Sequence, residues 1–134
     1  DMVLCAYNEE SKVLSFAGAK NNLYILRDGE IFELKGQRLS IGSGMIEKEA
    51  EGFSTATFQL KENDSIYTFT DGFPDQFGGP KEKKLKSKNL LDFIRNLSRD
   101  EMAEQKEELL TFFSNWKGDT EQIDDVCLMG IRIS

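Results

Sequence analysis

Two short acidic motifs carry the chemistry this chain could perform. The apolar-rich run Ile66-Tyr67-Thr68-Phe69-Thr70 ends at Asp71-Gly72, and Gln122-Ile123 leads into Asp124-Asp125 just ahead of the apolar run Val126 to Ile133. An ionised Asp at the edge of a buried strand is costly unless it is paired, hydrogen-bonded or bound to metal. Gly72 lacks a Cβ, so the backbone there can turn sharply or approach an ion closely. Hard oxygen ligands from two strand ends suit Mg²⁺ or Mn²⁺, which need few protein carboxylates and keep several waters. The same residues also fit a plain structural role. Asp-Gly is a common turn dipeptide, and an Asp before a strand can simply cap a loop. The residues alone leave both readings open.

Composition narrows the other possibilities. The 134 residues contain no histidine, which removes Ser-His and Cys-His nucleophile pairs and the commonest general base. Catalysis must then run on carboxylates, lysines, hydroxyls or bound metal. Without histidine or a Cys-x-x-Cys motif, a structural zinc site is not expected. Cys5 and Cys127 both lie in apolar strand-like runs, so they are expected to be buried free thiols in a reducing cytoplasm. With 31% charged residues and a net charge of −7, the chain suits bulk nucleic-acid binding poorly. No apolar run approaches the roughly 18 residues of a membrane span. The amino terminus shows no basic-then-apolar leader, and no membrane contact by this segment is expected. At 39% hydrophobic content, residues 1–134 are expected to form one compact domain with a real core.

The elements that must position the carboxylates follow from periodicity. Met2 to Tyr7, Lys12 to Ala17, Leu23 to Arg27 and Glu30 to Leu34 read as strands, together an antiparallel meander. Asp28-Gly29 between the last two is a type I′ hairpin signal, because that turn needs positive φ at both central residues. Gly36 to Gly52 is expected to be a long loop. Phe53 to Leu60 and Ser65 to Thr70 are further strands around a turn at residues 61–64. Ser87 to Leu97 carries Leu90, Phe93, Ile94 and Leu97 as one helical stripe. Ser98 with Glu101 is a capping-box pattern for a second helix. That helix aligns Met102, Leu109, Phe113 and Trp116 and stops near Gly118. Val126 to Ile133 is nearly continuous in apolar residues, as a strand covered on both faces would be. The predicted class is α+β, with helices on a mostly antiparallel sheet. A site shared by Asp71 and Asp124 is geometrically possible if the last strand re-enters that sheet.

The ordered pattern resembles a family. The segments are Phe16-Ala17-Gly18-Ala19-Lys20-Asn21-Asn22-Leu23-Tyr24, Ile41-Gly42, Asp64 to Phe73, Asp75-Gln76-Phe77-Gly78-Gly79 and Ile123-Asp124-Asp125-Val126. In this order they are similar to the carboxyl-terminal part of SpoIIE-like bacterial protein serine phosphatases, within the type 2C metal-dependent phosphatases. The resemblance implies the α-β sandwich of that family and a two-metal centre of Mn²⁺ or Mg²⁺. It implies that Asp71, with Gly72, and Asp124 belong to the metal and catalytic site, and that Asp125 orients it or exchanges roles with Asp124. The implied reaction is hydrolysis of phosphoserine or phosphothreonine by a metal-activated water. The implied partners are a phosphoprotein substrate, such as an anti-sigma-factor antagonist, and a sensor domain upstream.

The family's bridging Asp, at a strand end before a glycine-rich turn and helix, has no counterpart in residues 1–60. The chain is therefore expected to hold the carboxyl-terminal half of the domain, with little or no activity alone. Exposed strand edges would then invite self-association.

Other features have more than one reading. Lys81, Lys83, Lys84, Lys86 and Lys88 form a basic stretch that either steers a phosphoprotein or is a solvated linker. Phe73, Phe77 and Gly78-Gly79 are expected to form a mobile segment that positions Asp71. Phe112 and Phe113 are adjacent, so they must face different ways. A calcium loop at Asp119 to Asp125 is disfavoured, because the alternating ligands and central glycine are missing. The principal alternative to the enzyme is a non-catalytic binding or oligomerisation module.

Overall fold

The computed structural model describes residues 1–42 and 52–134. Nine strands and three helices follow in the order β1 (Met2–Asn8), β2 (Val13–Ala19), β3 (Leu23–Arg27), β4 (Glu30–Leu34), β5 (Ala56–Gln59), β6 (Ser65–Phe69), α1 (Gly72–Asp75), β7 (Phe77–Gly78), β8 (Lys83–Lys84), α2 (Ser87–Asn96), α3 (Met102–Lys117) and β9 (Leu128–Arg132). Among the described residues, every pairing between these strands is antiparallel, and the isolated bridges Met2–Lys20 and Ala19–Gln37 are parallel. The α+β class holds. The centre of the expected loop between Gly36 and Gly52, residues 43–51, lies outside the described residues. Its described start is anchored by a bridge between Gln37 and Ala19.

The first four strands are not one meander. One sheet has the order β1-β2-β5 and the other β4-β3-β6-β9, so the chain changes sheet between β2 and β3. The two sheets pack face to face over Leu14, Phe16, Leu23, Ile25, Leu60, Ile66 and Ile133. The β3 sequence Leu-Tyr-Ile-Leu has apolar residues on both faces. Leu23 and Ile25 enter the sandwich, while Tyr24 and Leu26 join Tyr67, Leu90, Ile94 and Leu109 beneath the helices. The molecule thus has three layers: sheet, sheet, helices.

The α2 stripe seats Leu90 and Ile94 at 0% and 1% exposure. On α3, Phe112 stacks on Phe93 at 4.0 Å, and Phe113 meets Phe73 edge-on at 4.9 Å. The adjacent phenylalanines do serve two sides. Tyr67 donates to Gln105 at 2.7 Å in a buried pair that ties β6 to α3. The helix begins later than the Ser98 pattern suggests. Glu101 and Glu104 form the capping box, while Arg132 holds the carbonyls of Ser98 and Asp100 at 3.1 and 2.9 Å. These contacts keep residues 98–100 out of the helix. Gly118 ends it, as expected.

Strand β9 is not covered on both faces. It is the edge strand of its sheet, and Met129 and Ile131 are 57% and 50% exposed. The strands buried on both sides are β3 and the start of β6. The cysteines follow the same correction. Cys5, on edge strand β1, and Cys127, just before β9, are free and exposed, because each lies where its sheet has no further neighbour. Across the gap between these edges runs an apolar cleft of about 500 Å³ lined by Val3, Cys5, Tyr7, Ile66, Met129 and Ile131.

Candidate metal centre

The two acidic motifs meet. Their neighbourhood is set by Thr70, which the sequence reading passed over. The Thr70 N–H donates to the Cys127 carbonyl at 3.0 Å, and the Cys127 N–H donates to Thr70 Oγ1 at 2.9 Å. Thr70 Oγ1 in turn donates to the Asp125 carbonyl at 2.8 Å. These bonds extend the β6–β9 pairing one step past the strand ends. They hold Asp71-Gly72 against Asp124-Asp125 across 55 residues of sequence. No local signal marks such a contact, since it depends on the register between distant strands.

Gly72 shows how close the approach is. A Cβ at this position would collide with the Asp125 carbonyl oxygen and crowd the Asp124 carbonyl carbon at 3.4 Å. Its φ is not in the left-handed region, so space and not backbone conformation requires glycine here.

Asp71, Asp124 and Asp125 are all exposed. Asp71 occupies the cap position of the four-residue helix α1, yet its carboxylate makes no capping bond. Its carbonyl accepts the Asp75 N–H at 2.8 Å. Asp124 Oδ1 accepts the Asp125 N–H at 2.7 Å, and the Asp124 carbonyl accepts from the Gln122 amide at 2.9 Å. This local bond orients the Asp124 carboxylate and leaves its other oxygen without a protein donor among the described residues. Two solvent-facing carboxylates at adjoining strand ends match the donor type that Mg²⁺ or Mn²⁺ takes. Among the described residues, no three His, Cys, Asp or Glu side chains converge as a ready metal cage. The donor set fits the ion in kind and falls short in number.

The base of the site is firmly built. Phe73 is buried at 3% exposure. The buried Gln76 amide donates to the carbonyls of Phe77 and Glu121 at 2.9 and 3.0 Å, joining the end of α1 to the loop that leads to Asp124. The Trp116 indole donates to the Gln76 carbonyl at 2.9 Å, and its own carbonyl accepts the Gly79 N–H at 2.8 Å.

Asp64 opens one of the family-like segments but is not part of this site. It is 1% exposed and takes a two-pronged ion pair from Arg27, at 2.8 and 2.6 Å, plus the Lys61 N–H at 2.8 Å. Burial pushes its carboxyl up, but the Arg27 guanidinium and the Lys61 N–H outweigh that and hold it below the usual carboxylate range. It is a structural anion, and sequence alone could not separate it from a ligand.

A family model described as Stage II sporulation protein E (SpoIIE) matches residues 1–134. The chain belongs to the SpoIIE family. Among solved structures it is similar to the SiaA-PP2C domain of Pseudomonas aeruginosa, at 32% identity and a TM-score of 0.88, covering 98% of this chain and 51% of that one. The phosphatase domain of SpoIIE from Bacillus subtilis matches at 15% identity and a TM-score of 0.70, covering 98% and 57%. A serine/threonine phosphatase of S. agalactiae matches at 15% identity and a TM-score of 0.56, covering 91% and 55%. No curated protein matches. The chain thus spans about half the length of these solved relatives, and its fold is that of PP2C phosphatase domains.

Proposed function

We propose that this SpoIIE-family chain is part of a metal-dependent phosphatase acting on phosphoserine or phosphothreonine in a regulatory protein. Asp71 and Asp124 would hold Mn²⁺ or Mg²⁺, with Asp125 orienting the pair and Gly72 allowing the close backbone approach. One relative, the Bacillus subtilis SpoIIE phosphatase domain, was studied after presoaking with Mn, which makes Mn²⁺ the first ion to try. When bound, such ions lower the pKa of water and neutralise phosphoryl oxygens. The chain's own contribution would be to hold the Asp71-Gly72 backbone against that of Asp124-Asp125 through the Thr70–Cys127 junction. The observation that carries the reading is that junction, which brings together two acidic motifs far apart in sequence.

Two carboxylates without a third should bind metal weakly, because water fills the remaining positions and the charge is only partly offset. The chain alone is therefore expected to show little phosphatase activity. Calorimetric titration with Mn²⁺ tests the site. Weak binding that disappears in both Asp71→Asn and Asp124→Asn supports it, whereas uptake unaffected by either substitution places the metal elsewhere and sinks the assignment. The absence of a three-acid cage among the described residues favours a second reading, a non-catalytic module. Complete silence in the titration selects that reading.

A further inference from the structure

The chain is acidic overall, at −7, yet five of its 17 basic residues are gathered in one short stretch. Residues 77–88 contain Lys81, Lys83, Lys84, Lys86 and Lys88 against Glu82 alone, and all five lysines are exposed. This stretch is not a loose linker. Phe77 and Gly78 pair with Lys84 and Lys83 as a hairpin, and φ is positive at Gly79, Glu82 and Lys86. A non-glycine residue in that region costs on the order of 1 kcal/mol and persists only where its surroundings hold it. Here they do. Leu85 is 1% exposed and donates its N–H to the Gln76 carbonyl at 3.0 Å, while the Lys86 N–H reaches the Pro74 carbonyl at 2.7 Å.

The hairpin is also wired to the carboxylate site. Lys84 Nζ donates to Asp75 at 2.8 Å, and the Asp75 N–H donates to the Asp71 carbonyl at 2.8 Å. Lys84 is thereby paired with the residue one helical turn beyond Asp71. Beside it Phe77 is 39% exposed, with Lys84 Nζ 6.0 Å from its ring centroid. A merely solvated linker needs neither a strained, clamped backbone nor an exposed aromatic ring.

We propose that the β7–β8 hairpin and the start of α2 are the docking surface for an acidic segment of a phosphoprotein. This inference rests on the phosphatase reading above and names the partner's chemistry. Charge complementarity selects the occupant, because the net charge of −7 repels an acidic segment while this lysine-rich strip attracts it. A nucleic-acid duplex is the poorer fit, since its many phosphates would meet a chain whose net charge is −7.

The test uses fluorescence anisotropy of a labelled acidic phosphoserine peptide with the whole chain. Lys81→Glu/Lys83→Glu/Lys88→Glu leaves the Lys84–Asp75 pair intact and is expected to weaken binding at least about ten-fold and flatten its salt dependence. Reversing Lys20, Lys35 and Lys106 instead changes net charge equally and should weaken it far less. Circular dichroism confirms that both variants are folded. The proposal is overturned if the parent chain does not bind the peptide, if the two triple variants lose affinity equally, or if duplex DNA or anionic vesicles bind more tightly than the peptide. Mn²⁺ titration of the same proteins is independent, because neither triple variant contains a candidate ligand. Loss of the metal reading with retained peptide docking removes the phosphatase and leaves the docking surface.

Discussion

The two ends of the β-sandwich are built differently. At the β4–β5 end, Arg27 reaches from one sheet to the other. It donates to Asp64 and to the Gln59 carbonyl at 2.8 Å and lies 5.9 and 5.1 Å from the ring centroids of Phe32 and Phe58. Those rings pack together at 5.4 Å. One cation thus closes that end by pairing with a buried anion and covering two aromatic faces. At the β1–β9 end nothing comparable spans the sheets among the described residues. Leu4, Cys5, Tyr7, Met129 and Ile131 remain exposed around the cleft. The closed end should therefore dominate stability, while the open end should govern association. The candidate metal centre lies beside β9, at the open end.

The comparison breaks first if Asp64 is dispensable. Asp64→Asn should destabilise the fold by about 4 kcal/mol, because it leaves Arg27 partly buried and unpaired; a urea midpoint close to the parent's would count against the closed-end account. The pH dependence has a defined sign. The carboxyl of Asp64 is held below its unfolded value, so its contribution is present in full above the ordinary carboxylate range and fades as pH falls through the folded-state pKa. Thermal melts from neutral to acidic pH should show this loss in the parent and a flatter profile in Asp64→Asn.

Next in size is the helical layer. Leu90→Ala should cost about 3 kcal/mol by opening a cavity at a fully buried position, measurable by the same denaturant titration. Gly72→Ala should cost about 2 kcal/mol, since the added methyl must push the Asp125 backbone away. It should also weaken Mn²⁺ binding although no carboxylate is removed, a combination that a purely local turn would not produce. The smallest stability effect belongs to the open end. Met129→Ser/Ile131→Ser should shift stability by no more than about 0.5 kcal/mol per site and should reduce self-association in sedimentation velocity. A large stability loss there would mean that the open end is already packed, and the contrast between the two ends would fail.

Local chemistry made several of these features legible beforehand. Asp28-Gly29 announced its hairpin, and the structure has φ of 50° and 80° there. The stripe on α2, the split roles of Phe112 and Phe113, and the stop at Gly118 follow from helical periodicity and from glycine's tolerance of positive φ. The acidic motifs were recognisable as strand-end carboxylates, and the resemblance to SpoIIE-like phosphatases agrees with the family now shown.

Other features were not written locally. An apolar run such as Val126 to Ile133 looks the same whether its strand is central or at an edge, because the number of its neighbours is decided by pairing with distant residues. The exposure of Cys5 and Cys127 follows from the same fact. Asp64 and Asp71 sit at the two ends of one strand. One became a buried ion-pair partner and the other an exposed candidate ligand, according to whether Arg27 or the Asp124 loop lies across from it. The sequence by itself determined the periodicities, turns and charged groups available. Only the tertiary structure decided which groups meet, because register, sheet order and burial are non-local quantities.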